Sequence, residues 1–356
     1  MSNTYECSLK NQHNYNKRSL KHGESYEPKH KKFKQNHFDS GYKSVVDVVT
    51  IFKLELQRIL NNNNNKLSNT IIEDIQPYGS RISGIYTDDS DVDIHITYTS
   101  NLSFKKVIKL FADSIRKSNV FNQVVPIIHA KIPIIKCSFH KKTGIDCDIS
   151  FNNISAVHNS YLLNYIISMD HRIKPVLTKF KSWAKNTGLI CTNGFSSYSF
   201  YWIGLFCMQV KRILPPIYEL QKNIPERIVG HWNCAFSKEQ EFKKDNQKHL
   251  SESDILTMIY AYYSSFDFKT YVISPYVGCP LLKKDFENVD QLQPELWKYK
   301  QFHKENFEQT NLLFLRTSQF SMYTQDPFQH NLNITARVTP KVFEKFINAC
   351  TELKDK

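Results

Sequence analysis

Two runs of alternating sequence each place aspartates two residues apart: Asp91-Val92-Asp93-Ile94-His95-Ile96 and Ile145-Asp146-Cys147-Asp148-Ile149. In a strand, residues two apart share a face, so Asp91 and Asp93 project together while Val92, Ile94 and Ile96 enter a core behind them. Ile145, Cys147, Ile149 and Phe151 make the matching apolar face of the second run, with Asp146 and Asp148 opposite. Carboxylates held this close repel one another unless a cation lies between them. A hard, oxygen-ligated ion is the natural occupant, Mg²⁺ first and Mn²⁺ as the alternative. The blander reading is a pair of solvated aspartates on an edge strand.

Tyr78-Gly79-Ser80 precedes the first aspartate, with Ser80 eleven positions upstream of Asp91. A glycine there lets backbone N–H groups come close to a triphosphate, and the serine hydroxyl adds a further donor. Asp146 and Asp148 are both candidates for the third carboxylate that a two-metal site needs. The pattern joining these runs is α+β from Ile71 to Phe151, with an amphipathic helix predicted over Phe104 to Val120. We place the boundaries of this catalytic unit at 66–158.

Beyond Asn159 the periodicity is helical, and we expect a mostly helical unit over 159–352. Ile173, Val176, Leu177, Phe180 and Ala184 recur at helix spacing, Ser197 to Leu214 is a long apolar helix, and Ser251 to Phe266 is another. Residues 1–42 are polar and lack such periodicity, so a disordered basic tail is expected, with Lys29-His30-Lys31-Lys32-Phe33-Lys34 as a nuclear-localisation or RNA-contact patch or a merely solvated run. Residues 43–65 are read as a helix (Val45, Val46, Val49, Phe52, Leu56, Ile59) and an Asn-rich linker, Asn61 to Asn65.

With 47 Lys+Arg against 34 Asp+Glu, the formal net charge is +13. That excess suits a polyanionic partner but does not name one. The eight cysteines form no C-x-x-C pair, which disfavours a zinc site and a redox motif. With no secretory signal in view, they are expected as reduced thiols of an intracellular protein, cytoplasmic or nuclear. No apolar run is long enough to cross a bilayer.

At this point the chain resembles the DNA polymerase β nucleotidyltransferase superfamily, whose signature is Gly-Ser, a gap and Asp-x-Asp. It is most similar to the template-independent poly(A) polymerases and terminal uridylyltransferases, from about residue 44 to residue 352. Cys147-Asp148-Ile149-Ser150-Phe151-Asn152-Asn153 puts Asp148 on the family's third catalytic aspartate and leaves Asp146 outside the pattern. The resemblance implies a two-lobed molecule: a palm of mixed sheet and helices, a helical poly(A)-polymerase-associated domain, and a catalytic cleft between them. Asp91, Asp93 and Asp148 are the implied catalytic and metal-binding residues. His158-Asn159-Ser160 matches the segment whose Asn contacts the ribose. Lys181-Ser182-Trp183-Ala184-Lys185 matches a helix with two triphosphate-binding lysines, and Lys181 and Lys185 are i,i+4 neighbours on one face. A solvated basic face is the alternative, and Trp183 reads as core.

Gly194-Phe195-Ser196-Ser197-Tyr198 matches a loop-to-helix junction where Ser197 holds a phosphate and Tyr198 stacks on the base. Ser197 could cap the helix as well. Gln325-Asp326-Pro327-Phe328 makes Asp326 a base-contact candidate, or the first residue of an Asx turn. The implied activity is addition of UMP from UTP to an RNA 3′ end, by a monomer that relies on its basic surface, its tail or a recruiting protein to choose the RNA. Addition of AMP from ATP is the alternative, because uridylyltransferases usually carry a histidine six residues after that aspartate and this chain has Leu332, with His330 nearby. The stretch Asn333-Ile334-Thr335-Ala336-Arg337-Val338-Thr339-Pro340 favours the uridylyltransferases instead. A small-molecule nucleotidyltransferase and an inactive RNA-binding relative are the readings from other classes.

Overall fold

The computed structural model describes residues 48–55, 57–58, 70–87, 90–118, 120–130, 132–139, 145–152, 154–238, 249–315 and 320–354. The tail with its lysine run, the Asn-rich linker, Val45, Val46, Leu56, Ile59 and most of Lys238 to Lys248 lie outside them.

Helix α1 (48–55) lays Val48, Val49 and Phe52 against a five-stranded mixed sheet. The strands are β1 (Thr70–Tyr78), β2 (Val92–Ser100), β3 (Phe121–Ile127), β4 (Ile134–Phe139) and β5 (Ile145–Phe151), in the order β1-β2-β5-β4-β3. Only β2 and β5 run parallel. Their register sets Asp93 beside Asp148 and Val92 beside Cys147. The alternation read from the sequence therefore builds one surface: Val92, Ile94, Ile96, Cys147 and Ile149 are fully buried, and the aspartates line the opposite face. Helix α3 (Phe104–Lys117) closes the apolar side with Val107, Ile108, Phe111, Ala112 and Ile115. It ends three residues short of the predicted Val120.

A one-turn helix, α2 (Ser80–Ser83), leads out of β1. Helices α4 (Ser155–Ser168), α5 (Ile173–Asn186), α6 (Ser197–Val210), α8 (Glu252–Ser264) and α10 (Pro340–Leu353), with the short α7 (Ile217–Leu220) and α9 (Trp297–Glu305), surround a second apolar cluster. Helix α6 runs through its middle: every residue from Ser199 to Gln209 is buried, so the helix is apolar all round. Trp183 packs in this cluster as expected, stacked on Phe180 at 5.5 Å and edge-on to Tyr260.

This half is less purely helical than its sequence suggested. Two small antiparallel ladders interrupt it, β6 (Ile228–Val229) with β7 (Trp232–Asn233) and β8 (Tyr271–Ser274) with β9 (Cys279–Leu282). Strands of two to four residues are too short to show a period. Among the described residues no helix is long and apolar enough to cross a membrane, and the described cysteines are free thiols.

Candidate nucleotidyltransferase site

The acidic face of β2 and β5 is electrostatically strained. Asp93 is mostly buried, and burial, followed by the charges of Asp148 and Asp91, pushes its carboxyl up to about 7. Burial and Asp148 also raise Asp91. A strand neighbour supplies a cation: Lys136 of β4 pairs in register with Asp148, and its Nζ lies 2.9 and 3.0 Å from the two carboxylate oxygens. That contact raises the lysine's own pKa.

Among the described residues, no group of three or more His, Cys, Asp or Glu side chains is converged to hold a metal ion. The donors nevertheless fit one. They are carboxylates only, their mutual repulsion at Asp93 is only partly offset by Lys136, and an ammonium occupies Asp148 where a divalent ion would otherwise neutralise it. Asp146 accepts from Ser138 Oγ, and its charge adds to the pressure on Asp91.

Gly79 sits at φ +79°, and a Cβ there would run into the Asp93 carboxylate. The glycine is thus required by the close packing of β1's end on β2. Its N–H donates to Ser160 Oγ at 2.8 Å, an internal partner in this structure. Ser80 opens α2. The adjacent Arg81, buried, donates from Nε to the Ser90 carbonyl at 2.9 Å and so braces the loop that delivers Asp91.

Ser160 links this cluster to a second one, because its neighbour Asn159 donates from Nδ2 to Asp326 Oδ2 at 3.3 Å. Tyr198 donates its hydroxyl to the same oxygen at 2.8 Å. Asp326 is 1% exposed, and burial raises its carboxyl against the lowering effect of these donors. Its other oxygen accepts the Phe328 and Gln329 amides, so the Asx turn is also realised. Asn159 Oδ1 is buried without a protein partner, an acceptor open to a donor such as a ribose hydroxyl.

The remaining residues are placed as follows. Lys181 is buried in α5 with Nζ 5.6 Å from the centre of the Tyr201 ring, and Tyr201 donates to the Ile85 carbonyl near the start of the Asp91 loop. Lys185, one turn on, is exposed. Ser197 is the first residue of α6, and the cap is Ser196: its Oγ accepts the Ser199 amide while Ser199 Oγ accepts the Ser196 amide. The observed cap therefore lies one residue before Ser197, since the reciprocal box needs an acceptor three positions on and Ser199 supplies it. Leu332 closes the Asp326 turn by accepting the Asp326 amide at its carbonyl. His330, the nearest histidine, lies inside the fold. It is 4% exposed and packed against Tyr276 and Trp232.

Sequence reasoning missed Lys136 and Arg81. A signal for Lys136 existed, a lone cation in the apolar run Ile132-Pro133-Ile134-Ile135-Lys136-Cys137.

The sheet order, the Gly-Ser turn and the grouped aspartates are those expected of a palm-type fold. Comparison with known proteins agrees. Residues 43–168 match the family described as "Poly(A) RNA polymerase, mitochondrial-like, central palm domain". Human terminal uridylyltransferase 4 is 32% identical over 215 residues, 55% of this chain and 13% of that protein. The mitochondrial poly(A) RNA polymerase of Drosophila melanogaster is 28% identical over 250 residues, 59% of this chain and 40% of that one. This chain thus spans only a small part of the first relative and under half of the second. In three dimensions, the Cid1 poly(U) polymerase crystal structure aligns over 89% of this chain and 88% of its own, with TM-score 0.66 and 22% identity, which shows a shared fold. Residues 43–168 thus match a palm-domain family, and the relatives of the chain include terminal uridylyltransferases and poly(A) polymerases.

Proposed function

We propose that the chain is a template-independent RNA 3′-terminal nucleotidyltransferase that adds UMP from UTP. The observation that carries this reading is the pairing of two clusters across consecutive residues of α4: Ser160 bonded to Gly79 beside the aspartates, and Asn159 bonded to Asp326 beside Tyr198. One cluster suits phosphoryl transfer and the other suits a nucleoside. Residues 66–158 form the catalytic unit on this reading and 159–352 the helical one, with the cleft between them. The protein acts inside the cell, in cytoplasm or nucleus.

Asp91, Asp93 and Asp148 would hold Mg²⁺, which supplies activation of the RNA 3′-hydroxyl and charge neutralisation at the leaving pyrophosphate. Lys136, paired with Asp148 in this structure, would give up that contact to a bound cation. Ser80, Lys181, Lys185 and Ser197 hold the triphosphate, Asn159 the ribose and Tyr198 the base. The 3′-oxygen attacks the α-phosphorus in line, and the bond to pyrophosphate breaks. The relatives named as terminal uridylyltransferases support UTP.

The second reading, AMP from ATP, rests on Leu332, which offers the base edge no hydrogen bond. Purified protein, Mg²⁺ and a single-stranded RNA, given each nucleoside triphosphate separately, test both. Extension with UTP, absent in Asp91→Ala/Asp93→Ala, is expected. Extension mainly with ATP would replace the first reading by the second, and no extension would sink both.

A further inference from the structure

A cavity of about 920 Å³ lies behind the end of β1, bounded by α4 and the segment around β7. Its lining residues adjoin both halves of the candidate site, along the chain or through a ring stack. Gln76 and Pro77 precede Tyr78, the partner of Asp93 in the sheet. His158 precedes Asn159, and Phe236 stacks on Phe328 of the Asp326 turn at 6.4 Å.

The rim is cationic, with Lys53, Arg227 and Lys238. The one carboxylate among the lining residues, Asp74, already accepts from its neighbours Ile75 and Gln76. Tyr161 lies on the wall with 42% of its surface exposed. The floor holds a buried polar atom with no protein partner: His158 is 6% exposed, and its Nε2 makes no hydrogen bond. Such an atom is costly unless a ligand or water meets it. Burial and the charge of Arg227 hold this imidazole neutral, with a pKa of about 4.

We propose that this cavity seats the 3′-terminal stretch of a single-stranded RNA acceptor, with backbone phosphates on Lys53, Arg227 and Lys238, a base against Tyr161, and a ribose 2′-hydroxyl on His158 Nε2. The proposal rests on the nucleotidyltransferase reading for the strand's role as acceptor. Its chemistry comes from the cavity itself. Cations spaced around an exposed aromatic suit an unpaired strand. A 2′-hydroxyl both donates and accepts, so it satisfies the ring nitrogen in either tautomer and separates RNA from DNA.

The test is equilibrium binding of a short 5′-labelled single-stranded RNA to the full chain, read by fluorescence anisotropy across a salt series. Binding of a fluorescent nucleoside triphosphate is measured alongside. Lys53→Ala/Arg227→Ala/Lys238→Ala should lower the slope of log affinity against log salt by about 2, at roughly 0.7 per single-strand phosphate. Tyr161→Ala should weaken RNA roughly tenfold. His158→Leu should erase the preference for RNA over DNA of the same sequence. All three should leave nucleotide binding unchanged. Lys300→Ala/Lys304→Ala on α9, a second basic face beside the exposed Trp297, serves as the comparison and should change little.

RNA binding unaltered by the cavity variants, or moved only by the α9 pair, overturns the proposal while leaving RNA extension intact. Wild-type protein that binds RNA through these residues but extends nothing would uphold the cavity and sink the catalytic reading. Wild-type protein that binds no RNA would end both.

Discussion

The Asp326 carboxylate faces two ways, with Oδ1 on the backbone of its own turn and Oδ2 on Tyr198 and Asn159. Besides the stacking role proposed for it, Tyr198 has a structural one, because its hydroxyl helps to satisfy a carboxylate that is 1% exposed. Tyr198→Phe keeps the ring and removes that donor, so the variant should lose about 1–3 kcal/mol of stability. Denaturant melts without nucleotide read this directly, and an unchanged midpoint would mean the bond contributes nothing. Leu332 raises a separate question of selectivity. Its carbonyl holds the Asp326 amide, so a side chain introduced there starts beside the base-contact candidate. Leu332→His should raise the UTP-over-ATP ratio of kcat/KM roughly tenfold or more, as a single good hydrogen bond is worth about that factor. At this scale the sequence disclosed the aspartates through their spacing. It could not disclose which oxygen faces which partner, because Asn159, Tyr198 and Asp326 meet only in the folded chain.

Among the elements, the β1-to-α2 turn carries the sharpest constraint. Its glycine has a positive φ, and Asp93 packs where a side chain would begin. Gly79→Ala must therefore move either the turn or Asp93. We expect a loss of roughly 1–3 kcal/mol in stability and a kcat lowered by more than a hundredfold, through strained backbone and a displaced carboxylate. Nucleotide addition close to the wild-type rate would show that the turn tolerates a side chain. The glycine was legible from its spacing to Asp91, but its reason was not, since contact with Asp93 depends on strand register. Strands β2 and β5 were legible because each keeps strict alternation over a buried face. Strand β1 was not singled out: a register shift between Ile72 and Asp74 breaks its period of two. Strand β3 has a similar shift between Asn122 and Val125. The Asp326 loop is held by Asn333, whose Oδ1 accepts the Thr324 and Thr335 amides, and Arg337 pins the loop before α6 through the Gly194 and Phe195 carbonyls. The stretch that resembled uridylyltransferases thus has a structural task here, as a buttress between the two loops that present Asp326 and Tyr198.

Across the whole molecule, burial sets the protonation of histidines spread through both apolar clusters and their border. His95 and His158 are brought down to about 4 and His330 to about 3, each chiefly by loss of water. His330 gives the cleanest case. It is packed on Trp232 and Tyr276, its ring bonds the Pro327 carbonyl, and Nδ1 has no partner. An unfolded histidine takes its proton near pH 6.5, whereas this one stays neutral until about pH 3. Between those values the unfolded chain binds more protons, so stability is complete above pH 6.5 and falls as the pH drops. Asp93 acts in the opposite sense. Its raised pKa means the fold takes up a proton below about 7, which the unfolded chain does only near 4, so its contribution grows over the same descent. The net profile of the wild type mixes the two, and a difference between variants separates them. His330→Phe removes one titrating group and adds a packing cost that does not vary with pH. Measured by urea denaturation, the stability of His330→Phe relative to wild type should rise by roughly 2 kcal/mol between pH 7.5 and pH 5. A difference that stays flat over that range would mean His330 is reached by water and titrates in the fold as it does in the unfolded chain.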